Sequence, residues 1–238
     1  MTPGELSTPR SAAWAGVRDF LPLAPGMIAW ALVTGVAMAT SGLSTREAVG
    51  LGLIGYAGAA QLAALPFLVS SAPIALPIVS ALMVNLRFII YSAGLTPHLR
   101  SLPLLPRVAA SYLVSDIGFV LFLRQGPSLF AAPYRANYYF GLSVAVGLTW
   151  HVACTVGIFA AAVIPARWGL DFAGTLALLA LLVPMLARRP SLIGAIVAAG
   201  VSLTLRGLPY RVGVLVAIVA GIVTAVWADQ DSTHREAT

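Results

Sequence analysis

The sequence predicts an all-α fold: a polytopic helical bundle in a membrane, with about seven or eight spans. Three observations carry that expectation. First, 59% of the 238 residues are hydrophobic and only 9% are charged, with a mean hydropathy of +0.92. A water-soluble domain carries about a quarter of its residues as charges, and one of this size cannot bury nearly all its side chains. Lipid removes the conflict by letting apolar side chains face outwards. Second, the apolar runs are continuous and rich in Ala, Leu and Gly. Barrel strands alternate apolar and polar residues, whereas a helix satisfies its own backbone in lipid. Third, most charges sit at the ends of those runs. The net charge is +6 and all 14 basic residues are arginine. They come one or two at a time, as loop anchors and snorkelling side chains do. No basic face is assembled, so no nucleic-acid partner is expected.

About 20 apolar residues cross the hydrocarbon core as a helix. Residues 1–19 read as a polar N-terminal segment, 20–228 as a single transmembrane domain and 229–238 as a polar tail. The N-terminal segment does not read as a cleavable leader, because the apolar run after it is too long. That first run is 20–40. Ser44 and Glu47 then mark a helix start, as N-cap and reciprocal partner three residues on. The second run, 48–71, carries Gly50, Gly52, Gly55, Gly58 and Pro66 and is a candidate broken helix. Pro73 opens the third, 74–93, which Gly94 and Pro97 close. After the Pro-bearing loop 98–107, the fourth run, 108–123, is interrupted by Ser115 and Asp116. The fifth is 138–164 and the sixth 170–187. Residues 192–205 are short for a span and are a second candidate for a broken helix. The last run is 212–228. Glycines in such runs also serve plain close packing. Arginines divide similarly between the two sides, so they do not set the orientation.

A charge at membrane depth costs roughly a few kcal/mol unless it is paired or hydrated. Arg87 and Asp116 are the opposite charges inside the runs, and pairing across neighbouring helices would lower the cost of both. Two roles stay open. The pair can be helix glue, or Arg87 can engage a carboxylate through its planar fork, with Asp116 as proton-coupling group or charge partner. A low dielectric favours a protonated acid and a neighbouring arginine opposes it, so a tight pair sets those roles against each other. Gln61 and Asn85 offer donors and acceptors, for an amino-acid backbone or for another helix. Tyr56, Trp150 and His151 are candidate cavity lining; His151 can pass protons or simply pack beside Trp150. No metal is expected, since two of the three histidines lie in loop or tail and Cys154 is alone. No Walker motif or catalytic arrangement is present, and no cofactor is expected.

The segments Gly42-Leu-Ser44, Tyr56-Ala-Gly-Ala-Ala-Gln61, Val84-Asn-Leu-Arg87, Tyr91 and Pro97-His-Leu-Arg100, in this order and spacing, resemble the AzlC family. Its members are bacterial branched-chain amino-acid permeases, known through azaleucine resistance. Ser115-Asp116 is similar to a Thr-Asp of that family, and residues 137–151 to its aromatic-rich helix. The likeness runs over residues 20–227. Two positions depart: many relatives carry His where this chain has Phe88, and an acid where it has Ile117. The resemblance implies export of valine, leucine and isoleucine, with methionine a further candidate. It implies coupling to the proton motive force, a small AzlD-like membrane subunit as partner, and residence in the bacterial cytoplasmic membrane. Gln61, Asn85, Arg87 and Tyr91 are then the expected substrate-binding set and Asp116 the proton-coupling residue or charge partner. The rival expectation is a channel-like or structural membrane subunit whose specificity lies in its partner. A membrane enzyme lacks a reacting constellation in the sequence.

Overall fold

The structure is a computed structural model that describes residues 8–70, 72–129, 132–161, 186, 189–208 and 212–236. Among these residues the chain is helical, with no strand. Helix α1, Pro9–Phe20, starts at a capping box. Thr8 Oγ1 accepts from the Ser11 N–H, and Ser11 Oγ accepts from the Thr8 N–H. Pro22 and Pro25 each lack an N–H, so the chain tightens into a 3₁₀ turn at Leu21–Leu23 before resuming as α2, Ala24–Thr40. Together they make a 32-residue span, Pro9–Thr40, so helix begins well inside the segment 1–19.

A second long span lies in α9, Ala132–Ala160. Both α1 and α2 lie along it. A Cβ on Gly35 would collide with the Cys154 carbonyl, and one on Gly157 with the Leu32 carbonyl. The two backbones therefore touch, which is how helices associate where lipid offers no hydrophobic drive. Phe20, Met38, Tyr138, Leu142 and Cys154 are fully buried in the same core.

Between these spans lie shorter pieces: α3, Thr45–Ile54; α4, Gly58–Val69; α5, Ala75–Asn85; α6, Arg87–Leu99; α7, Leu104–Tyr112; and α8, Asp116–Leu129. After them come α10, Arg189–Thr204, and α11, Val212–Glu236, which pack as a pair with Gly194 against Gly221. Much of the outer surface is apolar: Ile54, Ile74, Ile90 and Trp227 are exposed, as side chains facing acyl chains must be.

The spans differ from the sequence expectation. Among the described residues, Pro9–Thr40, Tyr134–Ala160 and Gly213–Gln230 are long and apolar enough to cross a membrane. Two bent pairs, α5 with α6 and α7 with the first part of α8, raise the number of spans to five. These are the candidate spans of the described residues, and the interruptions that shorten the other runs are local. The runs 48–71, 74–93 and 108–123 are each interrupted, so their pieces are too short to cross alone. The break in 48–71 falls at residues 55–57. The run 192–205, expected as a second broken helix, instead sits in the unbroken α10. The sixth run, 170–187, lies outside the described residues apart from residue 186.

Candidate functional site

Three helix breaks supply the site, and each has a local cause. At the first, Gly55 ends α3 with its N–H on the Leu51 carbonyl. Tyr56 and Ala57 leave the helix, and α4 begins at Gly58 with no side-chain cap. Gln61 holds the break together: its Nε2 donates to that same Leu51 carbonyl at 2.7 Å. At the second, α5 meets α6 at Leu86 with a bend of 44°. There Ile89 N–H reaches Leu86 O at 3.1 Å, a tightened i→i+3 turn. At the third, α7 stops at Tyr112 and the axis turns by 117°. Ser115 then caps α8, its Oγ accepting from the Gly118 N–H at 3.1 Å, and Asp116 follows where a helix N-terminus favours an anion.

The second and third breaks bring Arg87 and Asp116 together. Arg87 Nη1 lies 3.3 Å from Asp116 Oδ1, and both side chains keep part of their surface open, 32% and 50%. Tyr91, one turn after Arg87, donates its hydroxyl to the same Oδ1 at 2.8 Å. The Tyr91 ring stacks on Phe119 at 4.4 Å and meets Phe88 edge-on. A carboxylate that faces a guanidinium and accepts from a phenol is fixed in place. Two atoms here are buried without a partner: Arg87 Nε, a donor, and Asn85 Oδ1, an acceptor.

The first and third breaks gather an aromatic group against α9. Tyr56 lies 5.8 Å from Tyr112 and 5.1 Å from His151, ring to ring. Gly58 abuts the Trp150 indole so closely that a Cβ would collide with it. Tyr112 donates its hydroxyl to the Leu53 carbonyl at 2.8 Å and lies 3.3 Å from His151 Nε2. A hydroxyl has one proton. Tyr112 gives its own to Leu53, so towards His151 it offers a lone pair, which suits the tautomer with hydrogen on Nε2. His151 Nδ1 is buried without a well-formed hydrogen bond, with the Gly52 backbone close to the ring. The Tyr56 hydroxyl, Gln61 Oε1 and Trp150 Nε1 share that condition, with Ser115 close to Tyr56. An unmet buried polar atom costs about 1–3 kcal/mol, so several in one place call for water or a ligand.

The sequence candidates thus fall into two groups. Arg87, Tyr91 and Asp116 meet directly, with Asn85 one residue before the bend. Tyr56, Trp150 and His151 meet one another, and Gln61 bonds back to α3. The α7–α8 break serves both groups, through Tyr112 and Asp116. Sequence reasoning missed Tyr112 and the cap at Ser115. The signal was present: Ser followed by Asp in the middle of an apolar run is a helix start.

Comparison with known proteins gives one family match. A family model described as AzlC protein matches residues 22–164, which include all three breaks and every candidate residue above. No curated protein and no solved structure matches.

Proposed function

This chain belongs to the AzlC family, and on that premise we propose that it is a secondary transporter that exports branched-chain amino acids across the bacterial cytoplasmic membrane. Membership itself makes it a multi-pass membrane protein concerned with branched-chain amino-acid transport, a transport-associated and not an enzymatic family. The observation that carries the proposal is the Arg87–Asp116 pair, held at two helix breaks beside two buried, unpartnered polar atoms. Broken helices at the membrane midplane are where secondary transporters bind their substrates.

The substrate is a zwitterion with an aliphatic side chain. Its carboxylate goes to Arg87, whose Nε–H is free. Its ammonium goes to Asp116 and Asn85 Oδ1, with Gln61 Oε1 a further acceptor. Tyr91 holds Asp116 in register. The aliphatic part rests on the Phe88 and Phe119 rings. Such contacts discriminate one methylene by only about 1–3 kcal/mol, so valine, leucine, isoleucine and methionine all qualify. Coupling follows from competition. The substrate ammonium and a proton compete for the Asp116 carboxylate, so one leaves as the other binds, as export against an inward proton gradient requires. Tyr112 and His151, beginning four residues before Asp116, extend the proton path towards α9. A small AzlD-like membrane subunit is the proposed partner.

The test is valine transport by protein reconstituted into liposomes, with and without the small subunit, under an imposed pH gradient. Gradient-driven accumulation is expected. Purely downhill flux would point instead to a channel-like subunit. Arg87→Ala, inserted normally, is expected to abolish transport; unchanged transport removes Arg87 from the site.

A further inference from the structure

At the far end of α6 a second polar site lies apart from the transport residues. Arg100 caps α6, its N–H on the Thr96 carbonyl. The chain turns through Pro103, and Arg107 N–H returns to the Pro103 carbonyl at 3.1 Å, which sets Arg107 in the first turn of α7. Between the two helices is a cavity of about 110 Å³ whose polar lining includes Thr96, Arg100, Arg107 and Ser111. Thr96 and Ser111 donate their hydroxyls to backbone carbonyls, at 2.7 and 3.0 Å. The remaining polar side chains of the lining are Ser92 and the two arginines, and the arginines are its charged groups. Neither has an ion-pair partner among the described residues.

The surroundings say what kind of anion fits. Helix α7 has nine residues, about 13.5 Å of rise, and cannot cross a hydrocarbon core of about 30 Å. It is turned sharply away from the axis of α8. Its outer side chains Leu104, Leu105 and Val108 are 67%, 83% and 60% exposed. Arg100 and Arg107 flank the turn that joins α6 to α7, and arginines at helix ends sit at headgroup depth. We propose that Arg100 and Arg107 clamp the phosphate of an anionic phospholipid, whose acyl chains cover Leu104, Leu105 and Val108. A free anion satisfies the arginines but leaves the leucines bare. A zwitterionic lipid covers the leucines but brings a cation to the arginines. Arginine suits the task because its fork donates two parallel hydrogen bonds to a phosphate.

The experiment is native mass spectrometry of the full chain released from neutral-detergent micelles. The micelles contain phosphatidylglycerol or phosphatidylcholine with matched acyl chains. One retained phosphatidylglycerol, in preference to phosphatidylcholine, is expected. Attraction of one basic side chain to an anionic lipid surface corresponds to a factor of about five. Arg100→Gln and Arg107→Gln should each weaken retention by about that factor, and the double variant by about 25-fold. Arg46→Gln, exposed in the first turn of α3, should leave it unchanged. If the double variant does not fold, the two single variants decide. Equal retention of both lipids overturns the proposal, as does preference that survives both single substitutions. Displacement of phosphatidylglycerol by millimolar inorganic phosphate also overturns it, assigning the site to a free anion. No readout depends on transport, so this site and the transport proposal stand or fall separately.

Discussion

Neutralising Arg87 and Asp116 separately and together tests whether the pair is a true energetic unit. The variants are Arg87→Gln, Asp116→Asn and the double. Asparagine keeps an oxygen for the Tyr91 hydroxyl, so the change removes charge with little change of shape. At 3.3 Å, two unit charges attract by about 5 kcal/mol at an effective dielectric of about 20 and by about 1 kcal/mol in water. With 32% and 50% of the two side chains exposed, solvent screening moves the value towards the lower end. A coupling of about 1–2 kcal/mol follows, a factor of roughly 5–30 in the folded to unfolded ratio. The assay is unfolding of all four proteins in mixed micelles, read as a double-mutant cycle. Each single variant leaves one uncompensated charge, so the double should lose less than the sum of the singles. Additivity within about 0.3 kcal/mol would refute the coupling. Transport separates glue from function: the double variant should regain stability and still not transport. Restored valine transport in the double variant would reduce the pair to a structural role.

Three further outcomes are expected. Gly157→Leu forces α2 off α9 at the Leu32 carbonyl and should destabilise by at least about 1–3 kcal/mol, read as a lower unfolding midpoint; an unchanged midpoint would show that the two backbones are not in contact. Tyr112→Phe removes the donor to Leu53 and the acceptor for His151. It should cost about 1 kcal/mol of stability and slow gradient-driven uptake more than downhill exchange, and an equal effect on both would take Tyr112 out of the proton path. At the start of α3, hydrogen bonds from Ser44 hold the Glu47 carboxyl below its ordinary range. A group with a lowered folded value stabilises above its unfolded value, and that contribution is lost as pH falls through the folded one. Wild type should therefore lose more stability than Ser44→Ala between pH 6 and about pH 3, the interval around the ordinary glutamate value; parallel pH profiles would contradict the capping box.

Much of the fold was legible because its causes are local. The Ser44–Glu47 box appears as the spacing implies. The Gly55–Gly58 stretch breaks its run, because a glycine end and an uncapped restart are cheap there. The break at Leu86 was not legible. It contains no Gly or Pro, and Leu86 keeps helical dihedrals, so only the accumulated geometry of the turn reveals the bend. The pairing of Arg87 with Asp116 could be anticipated from cost alone, since lipid punishes each charge unless it finds the other. That the Tyr91 hydroxyl would donate to Asp116 could not, since nothing in a sequence says which face of α6 meets α8.

By itself, then, the sequence determined that this protein lives in lipid, that its chain is helical, and which residues are too polar to face acyl chains. Those are properties of composition and short spacing, and they need no partner segment. Tertiary structure alone decided that the chain bends at Leu86 and how far the axes turn, 44° there and 117° between α7 and α8. It also decided that Tyr56, Tyr112, Trp150 and His151 form one group while Arg87, Tyr91 and Asp116 form another. The physical reason is that helix breaks in lipid survive only where other helices meet the freed polar groups. That condition is set by α9 and its neighbours, tens of residues away along the chain.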